Sequence, residues 1–105
     1  ATMEKLTDMT IHELDTAIHN ALPEGYNTEV TNGTYLDDTI KVTKDGSALA
    51  MYIGWDKMAD DVLNATVYDE HNPEEDELIE EGIYWDTDEA DMTAESIAED
   101  IIKHI

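Results

Sequence analysis

Between Asp69 and Asp91 the chain carries twelve carboxylates, Asp69, Glu70, Glu74, Glu75, Asp76, Glu77, Glu80, Glu81, Asp86, Asp88, Glu89 and Asp91, with no Lys or Arg among them. Leu78, Ile79, Ile83, Tyr84 and Trp85 are threaded through the same stretch. Disordered acidic tails are poor in aromatic and branched residues. The mixture therefore predicts a folded segment whose apolar residues seek burial while its carboxylates are held at defined places on a surface. Carboxylates roughly 6–7 Å apart repel by about 0.6 kcal/mol even at the dielectric of water. Summed over such a cluster, this is a sizeable cost against a typical stability of about 5–15 kcal/mol, so the field demands a use or a screening solvent.

Beyond this stretch, 105 residues at 41% hydrophobic composition suit one core and a single acidic domain spanning 1–105. The net charge of −22 sets 27 Asp and Glu against the five lysines Lys5, Lys41, Lys44, Lys57 and Lys103. Without arginine there is no bidentate clamp for phosphate, and long-range repulsion disfavours DNA, RNA and anionic membranes. The expected partner is a basic nucleic-acid-binding protein, with no direct nucleic acid and no membrane. The chain has no cysteine, which removes disulfides and thiolate metal sites and fits a reducing compartment. No apolar run approaches the roughly 18 residues of a membrane span, and no basic region followed by an apolar stretch opens the chain. The expected location is the cytoplasm of a bacterial host cell.

Local patterning predicts the elements. Met9-Thr10-Ile11-His12-Glu13-Leu14 reads as a helix start, with Thr10 as cap, Glu13 closing a capping box and Met9 stapling to Leu14. Ile11, Leu14, Ile18 and Leu22 recur at helical spacing until Pro23-Glu24-Gly25 stops the helix. Tyr26, Thr28 and Val30 then alternate toward Asn32-Gly33, and a second run ends at Asp45-Gly46; both dipeptides favour two-residue hairpin turns. Such turns set Val30 opposite Tyr35, and Val42 and Ile40 opposite Leu49 and Met51. The first of these pairings falls on the wrong parity, so a bulge near Leu36-Asp37-Asp38 is expected to correct it. Asp56 to Leu63 is read as either a helical turn or a loop.

Two further strands follow. Leu63, Ala65 and Val67 alternate in the fourth. Leu78 to Trp85 forms the fifth, with Ile79, Ile83 and Trp85 on one face, Gly82 at a bulge, and the acidic residues on the exposed side and flanks. Asp91-Met92-Thr93 repeats the Asp8-Met9-Thr10 triplet and starts a closing helix lined by Ala94, Ile97, Ala98, Ile101 and Ile105. The fold class is α+β: an antiparallel sheet of about five strands flanked by an N-terminal and a C-terminal helix.

Catalytic chemistry finds little support. Ser47 stands beside a turn and Ser96 in a helix start, neither in a nucleophile elbow. His12 and His19 share a polar helix face and are read as solvated. Asp86-Thr87-Asp88-Glu89-Ala90-Asp91 opens like an EF-hand loop, but Asp91 stands where the sharp turn needs Gly, and Ile97 where a bidentate Glu is required. The pairs Asp37-Asp38, Asp60-Asp61, Glu74-Glu75 and Glu80-Glu81 are adjacent in sequence, and successive strand residues point to opposite faces. No metal, no cofactor and no enzymatic activity are assigned.

Electrostatic mimicry remains. Alternate strand residues lie about 6.6–7 Å apart and i,i+4 helix neighbours about 5–6 Å, spacings at which carboxylates can stand in for backbone phosphates. The expected function is an acidic DNA-mimic inhibitor encoded by a phage or mobile element. It would block the groove of a CRISPR effector nuclease, a restriction enzyme or a repair enzyme, with Asp37, Asp38, Asp60 and Asp61 extending the surface. In element order and charge the chain is similar to the uracil-DNA glycosylase inhibitor family of phage DNA mimics, which implies the same kind of role and assigns no residue. The alternatives are a salt-adapted small domain and an acidic adaptor that shields a basic protein. Salt adaptation spreads acidic residues over a whole surface, whereas here they concentrate between Asp69 and Asp91.

Overall fold

The computed structural model describes residues 9–31, 39–55, 61–71, 74, 77–87 and 92–105. Its elements follow the order α1 (Ile11–Ala21), β1 (Tyr26–Thr31), β2 (Thr39–Lys44), β3 (Leu49–Trp55), β4 (Val62–Asp69), β5 (Glu77–Asp86) and α2 (Ala94–His104). The five strands form one antiparallel meander in the order β1-β2-β3-β4-β5. This is the expected α+β architecture, and it makes the acidic strand β5 an edge of the sheet.

Both helices start where the caps predict. The Thr10 hydroxyl accepts from the Glu13 N–H at 3.1 Å, and Glu13 Oε1 accepts from the Thr10 N–H at 3.3 Å, which completes the capping box. At α2 the Thr93 hydroxyl accepts from the Ser96 N–H at 3.2 Å. Met9 and Met92, each one residue before a cap, pack against the core.

One face of the sheet is apolar. Ile40 and Val42 of β2, Met51 and Ile53 of β3, Leu63, Ala65 and Val67 of β4, and Trp85 of β5 are all buried. Leu14 and Ile18 of α1 and Ile97, Ala98 and Ile101 of α2 close over them. Helix α1 lies against β1 and β2, and α2 is tied to β5 where Trp85 Nε1 donates to Asp100 Oδ2 at 2.8 Å. The opposite face carries no helix among the described residues and presents Lys41, Tyr52, Asn64, Thr66, Tyr68 and Tyr84.

Three expectations of register change. At the first hairpin Val30 pairs with Ile40, not Tyr35. The whole of 32–38, including the expected bulge, lies outside the described residues, and the pairing restores Val30 to the side of the buried Ile40. At the second hairpin Val42 meets Met51 and Ile40 meets Ile53, two residues beyond the predicted pairing. A shift of two leaves every side chain on its predicted face. The connection is longer because the turn is not of the primed type: Gly46 takes φ +80 while Asp45 does not, and the Ser47 N–H donates to the Lys44 carbonyl at 3.0 Å.

The third change is in β5. Between Ala65↔Ile83 and Val67↔Glu80, β4 advances two residues and β5 three; between Val67↔Glu80 and Tyr68↔Leu78, β4 advances one and β5 two. The first extra residue coincides with Gly82 at φ +81, the predicted bulge. The second was not predicted. Together they turn Glu80 toward the helix side and leave Ile79 50% exposed, so Ile79 does not share the core with Ile83 and Trp85. The segment 56–60 lies outside the described residues.

Candidate functional site: the acidic edge strand

From Glu77 to Gly82 every residue of β5 is exposed, and the strand meets the core only at its far end, where Ile83 is half-buried and Trp85 buried. The helices explain this asymmetry. Trp85 is anchored under α2 by Asp100, whereas the N-terminal half is held from that side through His104, whose Nδ1 lies 2.7 Å from Glu80 Oε2. At about 3.3 Å per residue, β5 is a rod roughly 30 Å long with carboxylates at Glu77, Glu80, Glu81 and Asp86.

Glu70, Asp69 and Glu80, all singled out in the sequence, are held by defined side-chain or backbone partners. Glu70 is held by Lys41 Nζ at 3.0 Å and by the Tyr52 hydroxyl, which donates to its Oε2 at 2.5 Å. Burial alone would raise the Glu70 carboxyl, but the bonds from Tyr52 and Lys41 outweigh it and hold the group below the usual carboxylate range. The bond to Glu70 outweighs burial at Lys41 and raises its ammonium, while burial, reinforced by Glu70, raises the Tyr52 phenol. Asp69 accepts from the His71 N–H at 3.0 Å and faces His71 Nδ1 at 2.9 Å. The backbone bond first and the ring second lower its carboxyl. Glu80 is engaged by His104, and Asp61 serves as a corner: at φ +61 its carbonyl accepts from both the N–H and the hydroxyl of Thr87, at 2.8 and 2.7 Å.

Glu74, Glu77, Glu81 and Asp86 are exposed along and beside β5, and the Val62↔Asp86 pairing brings Asp61 beside the end of the strand. Glu75, Asp76, Asp88, Glu89, Asp91, Asp37, Asp38 and Asp60 lie outside the described residues. The fold adds a pair that the reading of 69–91 omitted. Glu95 and Glu99 are exposed on α2, the helix joined to β5 by the Trp85–Asp100 and Glu80–His104 bonds, and their i,i+4 spacing was the available signal.

Comparison with protein-family models, with curated proteins and with solved structures gives no match. The site is therefore read from its own geometry.

Of the described lysines, two lie away from the acidic edge and one, Lys103, lies on α2. Lys41 and Lys44 lie on β2, three strands away, where Lys44 Nζ sits 5.5 Å from the centre of the Tyr26 ring. Lys103 is turned toward Asp100 at 4.0 Å. Among the described residues no group of three or more His, Asp or Glu is arranged to hold a metal ion, and no helix is long and apolar enough to cross a membrane. The edge strand also exposes apolar side chains that the sequence reading expected to be buried: Leu78 at 46%, Ile79 at 50% and Tyr84 at 62%. A rod of carboxylates interleaved with apolar groups can offer both charge and desolvated contact, the two components of a protein interface.

Proposed function

We propose that this protein is an acidic inhibitor that occupies the nucleic-acid groove of a basic protein, with β5 and its flanks standing in for a phosphate backbone. One observation carries the reading: among the described residues the exposed carboxylates are densest on the edge strand β5, at Glu77, Glu80, Glu81 and Asp86, and on the helix joined to it, at Glu95 and Glu99, while Lys41 and Lys44 lie three strands away on β2. A charge field of one sign along an elongated edge steers a basic groove toward it and is weakened by salt. A CRISPR effector nuclease, a restriction enzyme and a DNA-repair enzyme each offer such a groove, and a phage or other mobile element gains from blocking it. This polarity favours mimicry over general salt adaptation, which would acidify α1 as heavily as β5.

Retention from a bacterial lysate at about 0.15 M salt tests the proposal. The expected result is one dominant nucleic-acid-binding protein, released when duplex DNA is added and absent when Glu77→Lys and Glu81→Lys are combined. A broad set of basic proteins insensitive to DNA would support an acidic adaptor instead, and retention unchanged by the double reversal would remove β5 from the interface. Glu80 is left intact in this variant because it holds His104, so a change there would disturb the α2–β5 contact as well as the surface.

A further inference from the structure

The bulge in β5 opens a depression of about 410 Å³ on the helix-free face, lined by Asn64, Ala65, Thr66, Glu81, Gly82 and Tyr84. It exists for a local reason. The register shift of β5 beside Ala65 interrupts the regular pairing of the two strands, and Gly82, at φ +81, lines the depression with backbone alone. Tyr84 stands at its edge as the most exposed of the large apolar side chains, at 62%, and lies opposite Asn64 in the ladder. An aromatic ring, a carboxylate and two neutral side-chain oxygens thus surround an open floor.

We infer that this depression receives an arginine side chain presented by the basic partner, an inference that rests on the reading of β5 as the partner-binding edge. A guanidinium is planar, so it can lie on the Tyr84 ring while its edge donates to the Glu81 carboxylate, and its remaining N–H groups find the side-chain oxygens of Asn64 and Thr66. A lysine ammonium satisfies the charge of Glu81 but offers neither a flat face for the ring nor a fork for the carboxylate. Among the described residues no cation lines the depression, so a phosphate or a lipid headgroup meets no counter-charge from them.

Titration of the isotopically labelled whole protein with N-acetyl-arginine amide and, separately, N-acetyl-lysine amide at equal ionic strength isolates the pocket from the overall charge. The arginine derivative should bind about fivefold more tightly, with amide shifts concentrated at Glu81–Tyr84 and Asn64–Thr66. Tyr84→Ala and Glu81→Gln should each erase the preference, and Tyr84→Phe, which keeps the ring, should retain it; an unchanged urea midpoint for each variant excludes misfolding as the cause. Equal affinity for the two probes, shifts spread over all acidic residues, or a preference that survives Tyr84→Ala would overturn the inference. The two proposals fail separately. Arginine binding at β5 without capture of any DNA-displaced protein would leave the pocket and remove the mimic, and capture without an arginine preference would do the reverse.

Discussion

At the scale of single residues, the half-buried Tyr52–Glu70–Lys41 group shows how an acidic chain spends one of its few lysines. Charge-assisted hydrogen bonds of this kind contribute about 1–2 kcal/mol when partly solvated, so Glu70→Gln should lower the urea unfolding free energy by about that amount near neutral pH. The folded-state pKa of Glu70 is depressed, so its contribution is complete above the carboxylate range and is lost as pH falls through the folded value. Lys41 and Tyr52 are raised, so theirs is complete below about pH 10 and is lost as pH rises through their folded values. The gap between wild type and Glu70→Gln should therefore close below the carboxylate range. A gap that persists at pH 3 would show that Glu70 acts through packing. Sequence alone placed Glu70 among the partner-binding carboxylates, because nothing local reveals that strand pairing sets Lys41 beside Tyr52 within reach of a residue far along the chain.

At the scale of elements, caps and bulges make opposite demands on the backbone. Thr10→Ala removes one half of a completed capping box and should cost about 1 kcal/mol, read as a lower urea midpoint with an unchanged slope. Gly82→Ala meets no steric obstacle, so its cost should be the intrinsic penalty of positive φ, about 1–2 kcal/mol. Gly54→Ala differs in kind, because its Cβ would come within 3.1 Å of Thr39 Cγ2 on the neighbouring strand. If Gly82→Ala proved neutral, the bulge would have relaxed to regular pairing, and chemical shifts at Ile79 and Glu80 would move with it. The helices were legible in sequence because capping and i,i+4 periodicity are local. The bulge at Gly82 was legible from the glycine, but the second one beside Ile79 carries no such mark and is set by how β5 must follow β4.

At the scale of the whole molecule, the question is what the charge of −22 does to the fold. Raising salt from 0.01 M to 1 M shortens the Debye length from about 30 Å to about 3 Å. The urea midpoint should rise over that range, because repulsion along β5 and α2 is screened in the folded state more than in the expanded chain. The protein should nonetheless remain folded at about 0.15 M, since its buried face is continuous across the sheet. Unfolding below molar salt would identify a salt-adapted domain and remove the argument for mimicry. The sequence by itself determined the fold class, the two capped helices, the faces of β2 to β4 and the concentration of carboxylates between Asp69 and Asp91, because each rests on local spacing and parity. Tertiary structure alone decided which carboxylates are already engaged by Lys41, Tyr52, His71 and His104, and which apolar residues of β5 stay exposed. It also decided that the acidic strand lies at the sheet's edge, since those outcomes depend on contacts between residues far apart in the chain.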